Sequence, residues 1–181
     1  MISKKIFFII FLQFSLFANS VYNINFLDFQ AKVFPKIILL DNNFEDKLLE
    51  NSVVLTILYE EIDYSVVESL KDKIEKEYKS LKDYNLKVNS LKYSEFNRNK
   101  LSTAYILLLG KDEKILEISK ILSSNSRLTF AYDNSYLDLG VIFGLSITSK
   151  VDILLNIEAL KNSKIELQNS IFSVVKIRWE I

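Results

Sequence analysis

Enzyme sites are built from groups that shuttle protons, attack carbon or hold metals, and this 181-residue chain contains no histidine and no cysteine. Ser-His-Asp and Cys-His nucleophilic machinery, His-ligated zinc and thiolate metal centres are thereby excluded. Asp, Glu, Lys, Tyr and Ser remain. Ser173 and Lys176 stand at the S-x-x-K spacing of penicillin-recognising serine enzymes, but the S-D-N and K-T-G elements that complete such sites are absent. The match reads as a coincidence within an apolar C-terminal helix. The run DNNFED from Asp41 to Asp46 opens like a calcium loop, yet Asp46 stands where the turn demands glycine and Ser52 where a bidentate glutamate belongs. It reads as a polar loop. Glu60, Glu61 and Asp63 offer carboxylates for acid/base work, but they fall where a strand leads into a helix, and a helix N-terminus favours acidic residues for its own reasons. These patterns give no catalytic residue, no metal site and no cofactor.

The elements that would position any site follow from hydrophobic period. Residues 1–20 are set aside first: Lys4 and Lys5 precede an apolar run from Ile6 to Phe17, and Ala18-Asn19-Ser20 closes it in a small-x-small pattern. This is the form of a secretory signal peptide, too short for an ordinary membrane span, and without a cysteine the exported chain is not a lipoprotein. Removing Lys4 and Lys5 with the leader leaves 21 basic residues against 23 acidic ones, a net charge of −2. Such a balance gives no electrostatic footprint for nucleic acid. The remaining residues, 21–181, suit one domain whose stability rests on its core alone.

Phe26, Phe29, Val33, Ile37 and Leu40 recur at helical spacing, with Pro35 expected to kink or restart the helix. Ser52 to Tyr59 is an unbroken apolar run and reads as a strand buried on both faces. Ser65-Val-Val-Glu68 has the form of a capping box, followed by Val67, Leu70, Ile74, Tyr78 and Leu81 on one face; Asp72 with Lys76 and Glu75 with Lys79 are spaced for pairing on the other. Leu86 to Tyr93 alternates as a half-buried strand does. Ala104 to Gly110, followed by a helix carrying Ile115, Ile118 and Leu122, has the strand-glycine-helix order of an open α/β sheet. Short strands then cluster, and a final helix is expected from about Glu158 to Arg178. The fold class that results is α/β, a single domain with a mixed sheet of about five to six strands flanked by helices.

The segment Leu128 to Ile177 carries a further signal. Phe130 to Asp133 form a strand end, Gly140-Val141-Ile142 a glycine element, Ile153 to Asn156 a closing strand, and Ile165 with Ile171 and Phe172 the apolar positions of a terminal helix. This order resembles the end of the YfiR/HmsC-like family of small periplasmic proteins. Leu139 stands where the family has its first glycine, and the family's tryptophan-proline and its cysteines are missing. In this reading Phe130, Asp133, Gly140, Asn156, Ile171 and Phe172 are structural: Asp133 and Asn134 favour a turn, Gly140 permits it, Gly144 permits close packing, and Asn156 caps the terminal helix.

The resemblance implies a non-enzymatic periplasmic regulator that represses the extracytoplasmic sensor domain of an inner-membrane signalling protein, typically a diguanylate cyclase. It is expected to span no membrane once the leader is cut, and a homodimer is possible. The rival reading is a solute-binding module serving a transporter or sensor kinase, since α/β sheets offer a cleft at their strand ends. A carboxylate-based envelope enzyme ranks below both for want of a motif.

Overall fold

The computed structural model describes residues 22–178, and the expected leader at 1–20 lies outside them. Its strands are β1 (Ser52–Tyr59), β2 (Ser80–Leu81), β3 (Tyr84–Lys92), β4 (Ala104–Leu107), β5 (Leu128–Ala131), β6 (Phe143–Ile147), β7 (Val151–Asn156) and β8 (Val175–Arg178). Its helices are α1 (Ile24–Ile38), α2 (Tyr64–Glu77), α3 (Asp112–Ser124) and α4 (Ile157–Ser163).

An apolar run with no polar face can be a strand only if both of its sides are covered, and β1 is buried at all eight positions. Parallel neighbours β3 and β4 supply its backbone partners. Period-two alternation then divides the core. Val53, Leu55 and Ile57 of β1 join Ile106, Phe130 and the helix residues Phe34, Ile38, Leu70 and Ile74 on one face. On the other, Leu58, Tyr105 and Leu107 pack with Ile115, Ile118 and Leu122 of α3. The sheet runs β2-β3-β1-β4-β5-β6-β7-β8, parallel except at β2–β3 and β6–β7. The α/β class is the expected one, but the sheet has eight strands in place of five or six. Among the described residues no helix is long and apolar enough to cross a membrane.

The extra strand count has local causes. β2 is only two residues long, too short for periodicity to mark, and β8 lies inside the segment expected to be the terminal helix. That helix stops at Ser163, where Lys164 turns left-handed at φ +55. The chain then passes through a 3-10 helix over Asn169–Ser173 and pairs its β-branched Val175 and Ile177 region with β7 in parallel. Ile171 is buried at 1% exposure while its neighbour Phe172 is 41% exposed, so only the first of the pair faces the core.

Two other expectations are corrected by packing. In α1 the buried residues are Leu27, Gln30, Ala31, Phe34, Pro35, Ile37 and Ile38, with Phe26 and Val33 half-buried and Phe29 exposed. The polar stripe of Asn25, Asp28, Lys32 and Lys36 is narrow, so two adjacent apolar stripes satisfied the spacing. Phe34 decides between them by stacking on Phe130 at 4.6 Å, and the helix continues through Pro35 without restarting. In α2, Ser65 is already inside the helix and no capping box forms; the N-cap is Asp63, whose carboxylate accepts a hydrogen bond from the Tyr22 hydroxyl at 2.8 Å. Val67, Leu70 and Ile74 face inward as expected, Tyr78 ends the helix, and Leu81 is buried from β2. Instead of the spaced pairs on its outer face, α2 pairs through Lys73 with Asp28 of α1.

These placements order the stabilities of three variants. Ile171→Ala is expected to cost about 2–5 kcal/mol as a buried large-to-small change. Asn156→Ala removes both a cap and the donor to a buried carbonyl, and is expected to cost about 2–4 kcal/mol. Phe172→Ala is expected to stay within about 1 kcal/mol. Urea unfolding of the three purified proteins checks the order, and a Phe172 variant as damaged as the Ile171 variant would contradict it.

Candidate functional site

In an open parallel sheet the natural site is the crevice where the strand order reverses, outside the carboxyl ends. Here that point lies between β1 and β4, because the chain goes from β1 outward to β3 and then crosses to β4 on the opposite side. Tyrosines fill it. The Tyr93 hydroxyl donates to the Leu108 carbonyl at 2.6 Å, the Leu109 N–H donates to the Tyr22 hydroxyl at 3.0 Å, and the Gly110 N–H donates to the Tyr136 hydroxyl at 2.9 Å. A side chain on Gly110 would come within 2.7 Å of the Tyr93 ring, which explains the glycine at the end of this strand. Burial is the first cause raising the Tyr22, Tyr93 and Tyr136 hydroxyls above the usual tyrosine range, and the Asp63 carboxylate adds to it at Tyr22. All three therefore remain protonated hydrogen-bonding groups and fix the loop after β4 as a rigid floor.

The open space is displaced to one side, at the ends of β5 and β6. Those two strands are paired only at Phe130 opposite Phe143. Past that point the chain leaving β5 turns into a 3-10 helix over Asn134–Leu139 while β6 runs on to pair with β7. The N-terminal half of α1 forms the second wall. Gln30, fully buried, donates to the Ala131 carbonyl at 3.2 Å, and the Asn23 N–H donates to the Tyr132 hydroxyl at 2.8 Å, so α1 is fastened to the end of β5. A cleft of about 910 Å³ results, inside the range of small-molecule sites. Phe26 and Tyr132, edge to face at 5.3 Å, and Leu145 make its apolar part. Asp28 and Lys32 project from the helix, Asp133 and Asn134 from the strand end, with Phe29 and Ile147 exposed beside them.

Of the turn and cap residues singled out in the sequence, Asp133 and Asn134 line this cleft. Phe130 is core. Asp133 accepts from the Ser135 N–H at 2.9 Å and starts the 3-10 helix; Gly140 ends it in the left-handed region at φ +88. Asn156 caps α4 through the Ala159 N–H at 2.9 Å and donates to the Leu137 carbonyl at 2.6 Å, tying that 3-10 helix to β7. Gly144 sits where a side chain would meet Asn134 Oδ1 at 2.5 Å, so the expected close approach is observed. Ile171 and Phe172 lie outside the cleft. The α1 contributions, Phe26, Asp28 and Lys32, were missed as site residues, although an aromatic surplus on a helix that could not bury all its faces was the available signal.

The remaining chemical patterns resolve into ordinary structure. The Ser173 hydroxyl donates to the Ser170 carbonyl and Lys176 to Asp152 at 2.6 Å, with Ser173 in a 3-10 helix and Lys176 in β8. The Lys176 ammonium holds the Asp152 carboxyl below its usual range. Asp41 is buried and paired with Lys47, a fixed turn in place of a solvated loop. Glu61 pairs with Lys92.

No family model matches the chain, and no curated protein matches it. Among solved structures it is similar to a conserved domain protein from Vibrio cholerae O1 biovar eltor strain N16961, with TM-score 0.56 and 12% identity over 85% of this chain and 60% of that one. It is also similar to an ABC domain from Streptococcus pneumoniae in complex with L-Trp, with TM-score 0.50 and 10% identity over 78% of this chain and 62% of that one. The chain thus spans about three-fifths of the length of each. At these identities the likeness is one of fold.

The tyrosine floor has a pH signature. Each raised hydroxyl keeps its proton in the folded state above the value of about 10 at which an unfolded tyrosine releases it. Below that value both states hold the proton and the stabilisation is complete; above it the unfolded chain binds fewer protons, so stability falls as pH rises. Melting temperature is expected to drop on going from about pH 9 to about pH 11, and Tyr22→Phe to make the drop shallower. An equal slope in both proteins would rule out Tyr22 as a contributor.

Proposed function

We propose that the chain is a non-enzymatic exported regulator that binds the extracytoplasmic sensor domain of an inner-membrane signalling protein, of the diguanylate cyclase type, and holds it silent. The observation that supports contact as its mode of action is the outer edge of the sheet. Among the described residues β8 has a strand neighbour only on its β7 side, and Phe172 and Val174 just before it and Ile177 within it are exposed. Its two charges are occupied within the chain, Lys176 by Asp152 and Arg178 by Asp138 at 2.8 Å. Free charges are a common device for keeping an edge strand from pairing, and here they are neutralised. An edge of this kind suits docking to another protein by strand addition.

Repression then requires the regulator to bind the silent conformation of its partner more tightly than the active one. A tenfold shift needs about 1.4 kcal/mol of difference. With no cysteine in the chain, the releasing signal is not thiol oxidation of the regulator.

The cleft beside α1 favours a second reading, a solute-binding module serving a transporter or sensor kinase. A likeness to a domain crystallised with L-Trp supports it at the level of fold.

Deletion of the gene is expected to raise cellular cyclic-di-GMP, and complementation with Val174→Glu to restore it less well than wild type while leaving the melting temperature unchanged. Unaltered cyclic-di-GMP in the deletion strain, under conditions where the protein is expressed, overturns the regulator.

A further inference from the structure

We propose that the cleft between α1 and the ends of β5 and β6 binds a small zwitterion with an apolar body, an amino acid or a short peptide. This assignment rests on the solute-binding reading of the cleft and stands apart from the regulator reading.

The argument comes from which polar groups in the cleft are already committed. Asp28 is paired with Lys73 of α2. Asn23 Oδ1 accepts from the Phe26 N–H, and the Tyr132 hydroxyl accepts from the Asn23 N–H. One oxygen of Asp133 takes both the N–H and the hydroxyl of Ser135 at 2.9 Å. What is left over is one charge on each wall, with Asn25 and Ser146 as neutral polar groups beside them. Lys32 lines the cleft from α1 and has no carboxylate within ion-pair distance among the described residues. On the opposite wall Asp133 retains its second oxygen. Next to it Asn134 Oδ1 is buried against Gly144 and closed to a ligand.

The cleft therefore offers one unmatched cation on its helix wall and one unmatched anion on its strand-end wall. Phe26, Tyr132 and Leu145 lie between them as an apolar surface. A ligand carrying only a positive or only a negative group would leave one of these charges unanswered. A zwitterion answers both: its carboxylate accepts from the Lys32 ammonium, while its ammonium donates to the second oxygen of Asp133. Its side chain covers the aromatic pair. Phe29 and Ile147, 39% and 43% exposed, add apolar surface to the same cleft. The cleft volume of about 910 Å³ leaves room for a di- or tripeptide as well as for a single residue.

Calorimetry on the purified mature chain tests this with L-phenylalanine, phenylalaninamide, N-acetyl-phenylalanine, N-acetyl-phenylalaninamide, diphenylalanine, triphenylalanine and glucose. The expected result is that a zwitterion binds and that masking either of its charges weakens binding by about tenfold or more. The relative affinities of the one-, two- and three-residue zwitterions set the ligand length. Lys32→Gln is expected to weaken L-phenylalanine while leaving phenylalaninamide as it was; Asp133→Asn, which keeps an acceptor for Ser135, is expected to weaken L-phenylalanine while leaving N-acetyl-phenylalanine as it was. Equal binding of the doubly masked compound overturns the charge assignment. Binding of glucose without response to any zwitterion overturns the ligand class but keeps a solute module. Silence toward every probe overturns both, and the cyclic-di-GMP measurement then still decides the regulator by itself.

Discussion

A strand that shows no polar face to water must be enclosed before it is stable, and β1 sets that demand for the whole molecule. It is flanked in the sheet by β3 and β4, roofed by α1 and α2, and backed by α3. Each of these partners then has its own second face or edge to satisfy, and the sheet extends outward until it reaches β2 on one side and β8 on the other. The strand ends are collected along one edge as a by-product of parallel pairing. The position of the cleft is inherited from the covering of β1.

What distinguishes this edge from a generic α/β edge is how its polar backbone is satisfied. The loop after β4 would ordinarily turn its free amides toward a ligand. Here the hydroxyls of Tyr22 and Tyr136 accept from those amides, that of Tyr93 donates to the Leu108 carbonyl, and the space beside them is occupied by rings. The Tyr22 and Tyr132 rings, 4.6 Å apart, form the boundary between the filled crevice and the open cleft. Any molecule in the cleft rests against the same aromatic boundary that anchors the start of α1.

The sequence was legible where one physical rule acted alone. Unbroken apolar runs gave β1 and β4, helical spacing gave α2 and α3, and the turn chemistry of Asp133, Gly140 and Asn156 was as their residue types require. It was illegible where two rules competed. The residues of α1 satisfied helical spacing on two faces, and only the stacking of Phe34 on Phe130, a contact between distant segments, selects one. The segment before Arg178 has apolar residues that fit helix and strand alike, and pairing with β7 settles it. The cleft was hidden for a related reason, since its walls come from α1 and from the end of β5, more than a hundred positions apart in the chain, and neither wall carries a motif.

The tyrosine floor also joins distant parts of the chain. The Leu109 amide is satisfied by a hydroxyl 87 residues earlier in the chain, and the Asn23 amide by one 109 residues later. Such contacts close large loops and raise the contact order, which slows folding. The helix beside them also carries Phe34 and Ile38 into the core, so one element both completes the core and walls the cleft.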